Sequence, residues 1–177
     1  VRSTLRGDAR RLNMPTWALA SRPEEQPVYK AIVVGTDGSP TAAYAVQKAI
    51  ELAQSSGAVL HVIHAHQLVD ITASAAVSGA NINYGAVNDG IREDSDRICG
   101  NAVELAGRVG VTVETHSIPG SPANALIQVA ENVGADLIVV GNRGMTGAKR
   151  FVLGSVPNKV SHHAPCDLLI VNTAQSG

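Results

Sequence analysis

The stretch Val139-Val140-Gly141-Asn142-Arg143-Gly144, followed after nine residues by Gly154-Ser155-Val156, constrains this chain more than any other. It begins as a buried strand, breaks into a glycine-rich loop and ends where a helix starts. Glycines let backbone N–H groups approach an anion closely, and a helix N-terminus adds unpaired donors and a positive dipole end. This is the design of a phosphate cradle. No Gly-Lys-Ser/Thr ending follows, so it is not the P-loop of ordinary nucleotide hydrolases. The expected role is to hold a phosphorylated small molecule, with no chemistry on it implied.

The rest of the chain alternates strands and helices. Tyr29 to Asp37 has a near-continuous apolar centre, the pattern of a strand buried on both faces of a parallel sheet. Ser39-Pro40 reads as an N-cap and first helical residue. Ala42, Ala45, Val46, Ala49, Ile50 and Ala53 then recur at helical spacing, and Gly57 supplies the stop. Ala58 to Ala65 predicts the second strand, and Asp89 to Gly107 the second helix, with Ile91, Ile98, Ala102, Leu105 and Val109 on its buried face. The charged run Arg92, Glu93, Asp94, Asp96 and Arg97 reads as a solvated surface. Val111 to Ile118 alternates apolar and polar residues, so this third strand is expected near a sheet edge. Ser121-Pro122 starts a third helix with Leu126, Val129, Ala130 and Val133 buried, ended at Gly134. Asp136 to Gly141, Ser155 to His163 and Asp167 to Asn172 complete a β-α-β-α-β-α-β-α-β order. Such an order implies an α/β domain with a parallel sheet covered on both faces. In these sheets a ligand sits beyond the carboxyl ends of strands, where strand order reverses. The polar and glycine-rich segments Gly35 to Ser39 and Gly141 to Gly144 lie at such ends.

At 177 residues the chain is most simply one domain with a real core. The formal net charge is -1 and no basic block follows residue 22, which argues against nucleic acid as a partner. No apolar run approaches the ~20 residues that span a bilayer. Cys99 and Cys166 are far apart and read as buried thiols of a reducing compartment, so a cytoplasmic location is expected. Residues 1–28 carry five Arg and Pro15, Pro23 and Pro27 without sustained periodicity. They are expected to form a disordered extension, with Met14 an alternative start and a transit peptide a weaker reading; Arg10-Arg11 lacks the apolar region of an export signal. The folded domain is expected over 29–173, and 174–177 as a tail.

Two further segments carry expectations. His64 and His66 share a strand face with room for a metal, but no Asp, Glu or Cys lies close in sequence to complete the ligands. Ordinary polar residues at a strand end are the expectation there. Gln67 to Asn88 is long and poor in charge, read equally as a lid or as disorder.

The chain resembles the universal stress protein family over roughly residues 29–173. The resemblance rests on Val33-Val34-Gly35-Thr36-Asp37-Gly38-Ser39 and on the pattern Gly-x2-Gly-x9-Gly-Ser, met by Gly141, Gly144, Gly154 and Ser155. It implies a five-stranded parallel sheet of order 3-2-1-4-5 in a Rossmann-like fold, adenine nucleotide binding in one branch, and homodimers through the last strand. By position, Gly35 and Thr36 would line the adenine end and backbone at Ala65 would meet the adenine edge. Asp37 would face the ribose or phosphates, where a carboxylate can accept from hydroxyls or coordinate Mg²⁺. Val140 and Gly141 would sit against the ribose, and Arg143, Gly144, Gly154, Ser155 and Val156 would surround the phosphates.

Pro157 departs from the pattern, since nucleotide-binding relatives often carry Ser, Thr or Ala there. Proline suits a helix start but offers neither N–H nor hydroxyl. Gly-Ser-Val-Pro recurs in family members of which some favour cyclic AMP. ATP is the first expectation and cyclic AMP the second, in a dimer that senses or sequesters the nucleotide. The residues alone leave structural roles open: Gly141 and Gly144 as a tight turn, Ser155 as an N-cap, Asp37 as a cap of the first helix. Two alternatives stand beside this reading, a slow ATP hydrolase or autophosphorylating enzyme and a ligand-free interaction protein. No general base or second carboxylate lies near the glycine loop in sequence, which disfavours the enzyme.

Overall fold

The computed structural model describes residues 28–68, 84–142 and 153–173. The calls on residues 1–27, on 69–83 of the long polar segment, on Arg143 and Gly144, and on the tail lie outside these residues. Among the described residues, β1 (Ala31–Gly35), α1 (Pro40–Ser56), β2 (Val59–His66), α2 (Tyr84–Gly107), β3 (Val113–Pro119), α3 (Pro122–Val133), β4 (Leu137–Gly141), α4 (Ser155–His163) and β5 (Asp167–Val171) follow in order. The strands form one parallel sheet, β3-β2-β1-β4-β5. Both the fold class and the strand order agree with the sequence expectation.

Local chemistry explains the helix ends. The Ser39 hydroxyl accepts from the Ala42 N–H and Pro40 opens α1, while Gly57 closes it at φ 68°. Ser121, Pro122 and Gly134, at φ 61°, do the same for α3. A left-handed closing residue has little steric cost only for glycine.

Burial alternates along the strands and sorts the core into two halves. Ile32, Val34, Leu60, Val62, Leu137 and Val139 face α1 and α2. Val33, Ile63, Ile138 and Val140 face α3 and α4. Central strands buried on both faces account for the unbroken apolar runs. The half-exposed pattern of β3 fits its edge position. Cys99 and Cys166 are free thiols packed with opposite halves of this core, so the sheet separates them.

Helix α2 corrects the sequence reading twice. It begins at Tyr84, five residues before the expected Asp89. Ala86 and Val87 extend it, because Asn88 and Asp89 are tolerated inside a helix even though they favour caps. Its buried stripe is Ser95, Cys99, Ala102 and Ala106; Leu105 and Val109 are more than two-fifths exposed. Small side chains let α2 approach the sheet closely. Ser95 is fully buried because its hydroxyl pairs with His64 Nδ1 at 2.8 Å. Burying a hydroxyl is tolerable when it is hydrogen-bonded. The charged run is on the surface, with Arg92–Asp89 and Arg97–Asp94 pairs at 2.9 Å.

Candidate functional site

Strand order reverses between β1 and β4, so a crevice opens beyond their carboxyl ends. Gly35 closes β1 and Gly141 closes β4, with Thr36 and Asp37 directly after the first. The Thr36 N–H donates to the Ile63 carbonyl at 2.9 Å, which fixes the chain as it leaves β1. The Thr36 hydroxyl accepts from the Gly38 N–H at 3.2 Å. Gly38 sits at φ 76°, and a Cβ there would lie 3.3 Å from Ile98 of α2. The turn therefore needs glycine both for its conformation and for the close approach of the helix.

Asp37 points one oxygen inward to the turn. Its Oδ1 accepts from the Ser39 N–H at 3.0 Å and from the Ser39 hydroxyl. Ser39 in turn caps α1. Asp37 thus supports the first helix, as the structural alternative held, and both of these bonds fall on Oδ1. One carboxylate arm is what Mg²⁺ bound mainly through phosphates requires, so the donor set fits such an ion.

The other wall is the start of α4. The Gly154 N–H donates to the Asn142 carbonyl at 3.1 Å, so the end of β4 meets the start of α4. Gly154 is the N-cap, with φ −60° and ψ 162°, and its carbonyl accepts from the Asn158 N–H at 3.0 Å. This corrects the reading of Ser155 as an N-cap: it is the first helical residue, and its side chain is exposed. The N–H groups of Ser155 and Val156 precede the first intrahelical bond, and Pro157 has none to add. The Pro157 ring is buried. A Cβ on Gly154 would come to 3.3 Å from the Asn142 carbonyl oxygen, so a side chain there would have to push that carbonyl back by a few tenths of an ångström.

The remaining expected residues fall around this crevice. Ala65 lies two residues past the last β1–β2 pair, Gly35–Ile63, so its backbone edge borders the open end. The Val140 side chain belongs to the core and leaves only its backbone for a ligand. His64 and His66 stack with ring centroids 6.2 Å apart on the α2 side of β2. Burial holds the His64 imidazole below its ordinary value, reinforced by His66 and opposed by Asp37 and Asp94. The Cys99 thiol, pushed up by burial, hydrogen-bonds the His64 backbone.

Asn142 is the residue that sequence reasoning missed. Its N–H donates to the Val171 carbonyl at 2.8 Å, and its Oδ1 accepts twice from Thr173. It joins the ends of β4 and β5 to the start of α4. In the sequence it looks like any turn residue beside a glycine.

The universal stress protein family model matches residues 28–172. Universal stress protein MJ0531 of Methanocaldococcus jannaschii is 33% identical over 144 residues, covering 81% of this chain and 82% of that protein. YxiE of Bacillus subtilis, also a universal stress protein, is 33% identical over 147 residues, covering 81% and 99%. A universal stress protein crystallised in complex with cyclic AMP is 33% identical, with a TM-score of 0.59 and coverage of 82% and 98%.

Proposed function

The chain belongs to the universal stress protein family, and from that premise we propose that it is a nucleotide-binding member that holds an adenine nucleotide between β1 and α4. The observation that carries this is the hydrogen bond from Gly154 to Asn142. It brings the donor-rich start of α4 to the same sheet end as Gly35, Thr36 and Asp37. In this reading Gly35, Thr36 and the Ala65 backbone line the base, and Asp37 and Gly141 the ribose. Arg143, Gly144, Gly154, Ser155 and Val156 surround the phosphate. The N–H groups of Ser155 and Val156 with the Ser155 hydroxyl are sufficient for one phosphate group. That donor set, and the similarity to a relative crystallised with cyclic AMP, favours cyclic AMP over ATP. Mg²⁺ held through Asp37 would accompany ATP.

The role that follows is that of a sensor or reservoir for the nucleotide. A second copy would cover β5, which presents Leu169, 37% exposed, at the sheet edge. A groove of about 650 Å³ runs beside it between α1 and β5, lined by Tyr44, Leu52 and Leu169 among others. An uncovered apolar edge strand favours association. Among the described residues no helix is long and apolar enough to cross a membrane.

Calorimetric titration of the full chain with cyclic AMP and with Mg²⁺-ATP tests the proposal, together with mass spectrometry of small molecules released on denaturation. One saturable site per chain, tighter for cyclic AMP, is expected. Absence of binding to both ligands, with no nucleotide released, would overturn it.

A further inference from the structure

On the opposite face of β2 from His64, a second histidine is buried without any part in the nucleotide crevice. His61 is only 5% exposed and lies on the α3 side of the sheet. The parallel register of β2 and β3 sets His61 beside Glu114 and Ile63 beside His116, so all three polar groups share that face. The His61 Nδ1 is 3.2 Å from His116 Nε2 and 3.4 Å from Glu114 Oε2. The three ligand atoms lie within 4.8 Å of one another. Glu114 is well exposed and α3 lies over β1 and β2, so the cluster is open on its outer side.

These distances have a simple meaning. A tetrahedral Zn²⁺ with ligand bonds of about 2.0–2.2 Å holds its donors about 3.3–3.5 Å apart. Two of the three separations match that spacing, and the exposed Glu114 side chain has the freedom to close the third. Without a metal, one proton shared between His61 Nδ1 and His116 Nε2 makes a single hydrogen bond and leaves the exposed Glu114 to solvent. A dication would draw both partners at once.

We propose that His61, Glu114 and His116 form a binding site for a divalent transition metal of the Zn²⁺ class, with the fourth position open to solvent. Two imidazoles and one carboxylate suit Zn²⁺ and its neighbours; Mg²⁺ and Ca²⁺ prefer all-oxygen ligands. Three protein ligands and one open position would leave room for a water, a small anion or a side chain of another protein. The site stands on the β2–β3 edge, away from the β1–β4 crevice and from β5.

Cobalt(II) is the probe, added to untagged, chelator-stripped full chain without nucleotide. One Co²⁺ per chain is expected, with visible d–d absorption of a four- or five-coordinate ion, displaced by Zn²⁺ and untouched by excess Mg²⁺. Losing even an outer-shell partner weakens metal sites about 10–100-fold, so Glu114→Gln and His116→Gln should each weaken binding at least tenfold. Both positions are off the fully buried core, and circular dichroism is the check that these variants fold. A His162→Gln/His163→Gln double variant controls for the adjacent histidines at the end of α4 and should bind as the parent does. No saturable uptake, undiminished uptake in His116→Gln, or loss of uptake in the double variant would each overturn the proposal.

Discussion

Asn142 Oδ1 accepts two hydrogen bonds from Thr173, one from its backbone N–H at 3.0 Å and one from its hydroxyl at 2.8 Å. With Gly154 bonded to the Asn142 carbonyl, this one residue ties together β4, β5 and the start of α4. The α4 wall of the candidate crevice is thus anchored to β4 and β5 through the backbone and side chain of Asn142, and not by the glycines alone.

Asn142→Ala withdraws the acceptor from both Thr173 groups, which are buried. Removing one partner of a buried hydrogen bond costs about 1–3 kcal/mol. The variant should lose that much unfolding free energy, read in urea as a lower midpoint with an unchanged slope. Asn142→Asp keeps the oxygen and should lose less.

Ser155 separates binding from stability. Because Gly154 occupies the cap, Ser155→Ala removes no capping bond and should change the thermal midpoint little. If its hydroxyl grips phosphate, cyclic AMP affinity should fall by about 1–2 kcal/mol. A loss of stability with affinity intact would return Ser155 to a purely structural role.

The sequence shows most of this fold because its punctuation is local. Ser-Pro starts and glycine stops mark α1 and α3, and unbroken apolar runs mark the central strands. What it conceals depends on contacts between elements. The buried face of α2 is made of Ser95, Cys99, Ala102 and Ala106, since the sheet leaves room only for small side chains. Periodicity favours the larger Leu105 and Val109, which face outward. His61 meets His116 across 55 positions of sequence, a pairing that only the β2–β3 register creates. Histidine spacing within β2 points instead to His64 and His66.

Asp136 should make stability depend on acid. Its Oδ2 accepts from the N–H groups of Lys30 at 2.6 Å and Ala31 at 3.0 Å. Those bonds, that to Lys30 first, hold its carboxyl below the ordinary value of 3.8. A carboxylate lowered by folding stabilises the fold above its unfolded value, and this is lost as pH falls through the lower folded value. With partial solvent screening, Asp136→Asn should cost about 1 kcal/mol at pH 7. Chemical denaturation should show that gap closing below pH 4, with nucleotide affinity unchanged at pH 7.

Leu169 tests the proposed dimer better than its neighbours in β5. Ile170 packs against the core, so charging it would damage the fold as well as an interface. Leu169 is the exposed member of the strand and lines the groove beside α1. Leu169→Lys should shift sedimentation from dimer to monomer and leave circular dichroism unchanged. A parent chain that sediments as a monomer at high concentration would rule out the homodimer.

Pro157 should govern which nucleotide is preferred. Its ring is buried on the first turn of α4, so its influence on a ligand acts through the N–H it lacks. Ser155 and Val156 still supply two N–H groups, a match for a single phosphate. A triphosphate carries more charge and must draw on Arg143, Lys149 and Arg150, the cations of the loop sequence, or on Mg²⁺ at Asp37. Exposed charge pairs weaken as salt shortens the Debye length from about 10 Å at 0.1 M to about 3 Å at 1 M. ATP affinity should therefore fall steeply with salt and require Mg²⁺, whereas cyclic AMP affinity should change little. Pro157→Ala restores the third N–H and should raise ATP affinity relative to cyclic AMP. Removal of the buried ring will also lower stability, so both affinities are to be compared well below the melting temperature of each protein. Identical salt and Mg²⁺ responses for the two ligands would show that Pro157 only starts the helix and takes no part in the choice.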